Sequence, residues 1–168
     1  MSFYELAAAR YSVRSFSAAP IEKEKLEKVL ETGRISPTAK NLQPHRLLVV
    51  TAEQELAKVD ECTPCRYGAP AVIVVCYDKT VCWVRDIDNE NSGVVDASIV
   101  TTHLMLAAQD AGLGSCWVMR FDPAKTAQVF ALPENIVPVA FLPVGYPSED
   151  SAPSDRHGAR SALEDILI

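Results

Sequence analysis

No stretch of this chain reaches the ~20 consecutive apolar residues that a helix needs to cross a bilayer. Its beginning carries no basic stretch followed by an apolar core and a small-residue cleavage site. A cytoplasmic location is the expectation. Positive charge is scarce as well: Lys and Arg number 16 against 22 Asp and Glu, for a formal net charge of -6. A surface for nucleic acid or anionic lipid needs clustered excess cations, so neither partner is expected. No G-x-G-x-x-G follows a strand-like run, which removes support for a dinucleotide site of the doubly wound kind. No Ser-His-Asp set and no paired-carboxylate cleft can be recognised either. Repeats, low-complexity tracts and linkers are all missing. With 168 residues and 48% hydrophobic content, the chain has enough material for one core, so a single domain over 1–168 is expected.

Five cysteines, at positions 62, 65, 76, 82 and 116, form an odd set without an export signal, and reduced thiols are expected. Cys62-Thr63-Pro64-Cys65 has the spacing of a redox motif. It does not follow a strand and open a helix, as that chemistry requires. No second Cys pair or nearby His completes a zinc site, and no metal is expected.

Helices are predicted over residues 2–9, from Glu22 to about Gly33, and from Val94 to about Ala111; another should begin at Asp122-Pro123, an N-cap followed by a first-turn proline. The 94–111 segment is apolar around much of its circumference and should lie under a sheet and against a second subunit. Strands are predicted at Leu47–Val50, Ala71–Cys76, Ser115–Met119 and Val137–Tyr146. Residues 147–158, rich in Pro, Ser, Asp and Gly, read as a crossing arm.

Two segments carry the chemistry. In Arg10-Tyr11-Ser12-Val13-Arg14, two guanidinium groups flank a hydroxyl, offering fixed positive forks and a short donor that suit a phosphate dianion. About one helix later, Ser36-Pro37-Thr38-Ala39-Lys40-Asn41-Leu42-Gln43-Pro44 mixes small residues with amides. Backbone can approach a flat polar ring there, while Asn41 and Gln43 supply donors and acceptors. Together the segments suit FMN. Taken singly, the first could be a solvated helix end and the second a polar turn.

With these two segments the chain resembles the nitroreductase-like family of FMN enzymes over nearly its whole length. Gly112-Leu113-Gly114-Ser115-Cys116-Trp117 is similar to the family's strand beside the flavin. Arg160-Ser161-Ala162-Leu163-Glu164-Asp165-Ile166 is similar to its C-terminal arm, keeping Arg160, Leu163 and the acidic pair of the usual Arg-Lys-Pro-Leu-Glu-Glu pattern. The resemblance implies an α+β, three-layer fold: a central mixed, mainly antiparallel β-sheet flanked by helices, dimeric with an exchanged C-terminal arm. It implies FMN as cofactor, with Arg10, Ser12, Arg14 and Arg160 on phosphate and ribityl, and Asn41 and Gln43 on ring or ribityl atoms. Pro37, Thr38 and Ala39 would pack from the partner subunit, and the backbone of Trp117, Val118 and Met119 would lie over the reactive edge.

No protein side chain is then catalytic, because the chemistry belongs to the flavin. NADH or NADPH would reduce it and leave, and a nitroaromatic, quinone or related conjugated acceptor would take its place. Reductive dehalogenation, other specialised flavin chemistry and FMN binding without turnover are the alternatives. The chain departs from the family pattern at Lys40, where a small residue is common, and at His45, where Trp is frequent. It is also short around Trp83-Val84-Arg85, where longer relatives insert helices over the substrate. Lys40, Trp83 and Arg85 are the candidate substrate residues, the latter two as a small lid or as plain surface. Arg160 could instead pair with Glu164, Trp117–Met119 could be core, and His103 reads as a packed or interface histidine.

Overall fold

A computed structural model describes all 168 residues. Its helices are α1 (Phe3–Ala9), α2 (Lys23–Arg34), α3 (Glu53–Cys62), α4 (Gly93–Asp110) and α5 (Pro123–Val129). The strands are β1 (His45–Val50), β2 (Ala71–Asp78), β3 (Gly114–Ser115) and β4 (Ile136–Gly145). They form one four-stranded sheet in the order β1-β2-β4-β3 with every neighbour antiparallel. An isolated parallel bridge from Ser12 to Ser115 ties the N-terminal segment to its edge.

The alternation of β2 builds three layers. Successive side chains of a strand point to opposite faces. Ile73, Val75 and Tyr77 therefore join Val29 of α2 and Val100 and Leu104 of α4 in one cluster. Val72, Val74 and Cys76 join Leu56 and Val59 of α3 and Phe141 of β4 in another. Each face buries a strip of branched side chains against helices, which explains why β2 reads as a continuous apolar run.

α4 carries the sharpest local signals. It ends on Gly112, whose φ of +76° suits glycine, while the Leu113 N–H donates to Ala108 O and the Gly112 N–H to Gln109 O, closing a Schellman cap. Its core face is Ala97, Val100, Leu104 and Ala108, whereas Val94 and Val95 stand 52% and 61% exposed. Burial of α4 within the single chain is thus one-sided. The expected cap of α5 is present: Asp122 accepts from the Lys125 N–H at 3.0 Å.

Two expectations need adjustment. The strand predicted at 115–119 is reduced to β3 plus a bridge between Val118 and Phe141. Cys116 lies opposite Pro143, to whose carbonyl it donates, and proline has no N–H to return, so the ladder lapses there. The helix α3 was not foreseen. Its buried positions are Leu56, Val59 and Cys62, an amphipathic stripe too short to stand out amid charged residues.

Candidate functional site

The N-terminal segment runs beside the sheet edge. Val13 points inward and is buried, its N–H donates to Ser115 O at 3.0 Å, and a Cβ on Gly114 would lie 2.5 Å from Val13 Cγ2. Only glycine allows that approach. With Val13 inward, Ser12 and Arg14 are turned the other way. The C-terminal segment returns over them: Ser148 N–H donates to Ser15 O at 3.0 Å, Tyr11 Oη lies 3.2 Å from Ser151 Oγ, and the Tyr11 and His157 rings meet edge-on at 6.3 Å.

The outcome is a cavity of about 230 Å³ lined by Arg10, Ser12, Arg14, Arg156, His157 and Arg160, with Tyr11 and Ser154 completing it. The ion-paired arginines of the chain are Arg34, Arg46, Arg66 and Arg85, so none of the four cavity guanidiniums has a carboxylate partner. Arg14 Nη1 reaches only Ser12 O at 3.4 Å, and Arg160 Nη1 only Ala159 O at 2.7 Å. Arg160 therefore does not form the alternative pair with Glu164. Four uncompensated cations around a small concavity attract an anion. On the strand that Ser12 bridges, the buried Ser115 Oγ has no hydrogen-bond partner within the chain, nor has Trp117 Nε1 two residues on. Val118 is buried and Met119 exposed.

The second motif folds as a tight turn. Asn41 N–H donates to Thr38 O at 2.9 Å, Gln43 N–H to Thr38 Oγ1 at 3.0 Å, and Gln43 Nε2 to Asn41 O at 3.1 Å. Lys40, Asn41 and Gln43 have φ of 49°, 55° and 53°. Asparagine tolerates that left-handed region, but Lys and Gln enter it at a cost of about 1 kcal/mol or more each. The turn is held by a group outside it, because Ala39 N–H donates to Asp96 Oδ1 at 2.8 Å.

Next to this turn lies a cavity of about 580 Å³ whose lining includes Ala39, Trp83, Arg85, Glu90, Val95 and Asp96. Lys40 Nζ sits 5.7 Å from the Trp83 ring centroid, a cation–π contact. The segment carrying Trp83 and Arg85 is folded back on itself: Val84 bridges Asn91, Arg85 N–H donates to Glu90 O at 2.9 Å, and the Arg85 guanidinium forks onto Asp88. Trp83 and Arg85 thus wall a cavity. His45 opens β1 beside this region, its Nδ1 buried without a partner. Burial, followed by the neighbouring Arg46, pushes its pKa down, with Asp96 opposing.

The structure brings Arg10, Ser12, Arg14 and Arg160 together, and separately Ala39, Lys40, Trp83 and Arg85. It does not bring the two groups together within one chain, since the cavities share no lining residue. Pro37, Asn41 and Gln43 are exposed and line neither. Arg156 and Asp96 were not foreseen. Arg156 sits in a segment without periodicity. Asp96 did leave a signal, being the one charged residue between Gly93 and Gln109.

All five thiols are free. Cys62 closes α3 rather than opening a helix, which is not the redox arrangement. Burial pushes the Cys76 thiol up to about 12 and raises Cys116 too, the latter against the pull of Arg14.

The chain is thus a three-layer α+β domain with an unpaired arginine cavity at one sheet edge and a strained, amide-bearing turn at another place. The profile of the nitroreductase family matches residues 7–65 and 62–146, and the chain belongs to that family. A nitroreductase family protein from Clostridium difficile 630 superimposes with a TM-score of 0.94 at 41% identity, covering 100% of this chain and 98% of that one. A candidate NADH dehydrogenase/NAD(P)H nitroreductase of Methanothermobacter thermautotrophicus is 28% identical over 92% of this chain and 82% of its own length. A candidate nitroreductase from Exiguobacterium sibiricum 255-15, solved in complex with FMN, has a TM-score of 0.87 at 22% identity, covering 100% and 97% of the two chains, and bears on the fold alone.

Proposed function

We propose that this chain, as one domain over 1–168, is an FMN-dependent NAD(P)H oxidoreductase that passes electrons in ping-pong order to nitroaromatic, quinone or related conjugated acceptors. The observation that carries the reading is the set of four unpaired guanidiniums around Ser12. A phosphate dianion accepts several charge-assisted hydrogen bonds from such forks. On the strand that Ser12 bridges, Ser115 Oγ is a buried donor without a partner, and so is Trp117 Nε1 two residues on, so the residues present fit a polar cofactor at this edge.

Bound FMN supplies reversible two-electron transfer, and the protein supplies position, field and access. Arg10, Arg14 and Arg160 hold the phosphate, with Ser12 as a short donor. Asn41 and Gln43 present amide donors and acceptors to ring or ribityl atoms, and Pro37, Thr38 and Ala39 pack beside them. The backbone of Trp117, Val118 and Met119 covers the reactive edge. Trp83 offers an aromatic face to a planar acceptor, while Lys40 and Arg85 orient its polar substituents.

The separation of the two motif groups within one chain supports a homodimer in which each flavin lies between an arginine cavity and the partner's turn. Apolar side chains left open on α1, α4 and the C-terminal segment, among them Phe3, Val95, Leu163 and Leu167, supply surface for such an interface and for an exchanged arm. Five free cysteines suit a reducing cytoplasm. No helix is long and apolar enough to cross a membrane.

The test is NADH and NADPH oxidation by FMN-loaded protein, with and without a nitroaromatic or quinone. Acceptor-dependent oxidation supports the reading. Tightly held flavin that no pyridine nucleotide reduces would instead mark a non-catalytic FMN-binding protein.

A further inference from the structure

Asp96 is only 1% exposed, sits near the N-terminus of α4 among the buried positions of its core face, and pairs with no Lys or Arg. A buried carboxylate is costly unless donors replace the lost water. Both donors it has found come from side chain or backbone outside the helical ladder: Ala39 N–H to Oδ1 at 2.8 Å, and Ser92 Oγ to Oδ2 at 2.7 Å. An apolar residue in its place would pack the helix without that cost. What the carboxylate adds is a fixed bond to the residue directly before Lys40, where the chain enters its left-handed stretch. A turn with positive φ at Lys40, Asn41 and Gln43 persists only when its surroundings over-determine it. Its internal bonds run from Asn41 and Gln43 to Thr38, from Leu42 to Ala39 and from Gln43 to Asn41, and the body of the fold holds it at two points: Arg46 Nη1 donates to Gln43 O at 3.1 Å where the turn ends, and Asp96 takes the Ala39 amide where it begins.

We infer that Asp96 is the positioning residue of the flavin site: it clamps the Ala39 amide and so sets the turn that presents Asn41 and Gln43 to the isoalloxazine or ribityl part of the cofactor. This rests on the flavin reading above. Asp96 acts on the turn and not on the phosphate cavity, which shares no residue with it. Its loss therefore affects flavins with and without phosphate alike.

The experiment measures dissociation constants for FMN and riboflavin by fluorescence quenching in wild type, Asp96→Ala, Asp96→Asn and Arg14→Ala, with hydrogen exchange of the Ala39 amide alongside. Asp96→Ala is expected to weaken both flavins by the same factor, about tenfold or more for a charged hydrogen bond lost, and to unprotect Ala39. Asp96→Asn keeps a carbonyl acceptor for Ala39 and is expected to restore protection and most of the affinity. Arg14→Ala should weaken FMN and leave riboflavin unchanged. Wild-type flavin affinity in Asp96→Ala would overturn the inference while leaving the proposed function standing. So would weakened riboflavin binding in Asp96→Asn with Ala39 still protected, since charge rather than position would then be responsible. Wild type that binds neither flavin would remove the proposed function itself, and this inference with it.

Discussion

Replacing Arg14 by Ala isolates the anion-holding role of the cavity. Arg14 has no carboxylate partner, and its one hydrogen bond within the chain is a 3.4 Å contact to Ser12 O, so truncation strands no buried charge. Folding should change little, within about 0.5 kcal/mol. A charge-assisted hydrogen bond to phosphate contributes about 1.5–3 kcal/mol, which raises the dissociation constant for FMN roughly 10- to 150-fold. Arg14 is solvent-exposed, so screening favours the lower end and the loss should shrink as salt rises. Arg160→Ala should behave likewise. The double variant should lose less than the product of the two factors, because both groups address one anion. Flavin fluorescence quenching measures this, with a thermal melt to show that the fold survives. Unchanged FMN affinity in both single variants would refute the phosphate assignment.

Phe141 is fully buried with its ring 4.9 Å from that of Phe121, and Phe141→Ala should cost about 3–5 kcal/mol in urea unfolding. The folded-state pKa of His45 is depressed, chiefly by burial. Its contribution to stability is therefore present above the unfolded value of about 6.5 and lost as pH falls through the folded one. Melts from pH 8 to 5 should show His45→Gln losing less stability than wild type, and parallel curves would exclude the effect. Trp83→Ala should raise the KM of a planar acceptor by roughly 2- to 5-fold, the worth of an aromatic and cation–π wall, without altering FMN retention.

Much of this architecture was legible in the sequence because the signals are local. The branched run of β2, the Asp122-Pro123 cap and the long apolar segment of α4 each state their structure within a few residues. Other features depend on distant partners. The strand after Gly114 lapses because Pro143, nearly thirty residues on, has no N–H to return. Helix α3 shows three buried positions whose meaning comes only from packing on β2. Arg156 gains its place from the fold of an aperiodic arm. Asp96 was visible as the one charged residue before the last position of α4, yet its target, the Ala39 amide, lies 57 positions away in sequence. The motif segments could be read as a flavin site together, with the second expected from a partner subunit, whereas the exposure of Pro37, Asn41 and Gln43 outside both cavities required coordinates.

The most direct test of the central claim is the absorption spectrum of the purified protein after FMN addition and desalting, with the released chromophore identified by mass. The account predicts a retained flavin spectrum, FMN as the released species, and one FMN per protomer. Protein that emerges colourless after reconstitution would contradict it and return the four arginines around Ser12 to an anion site of another kind.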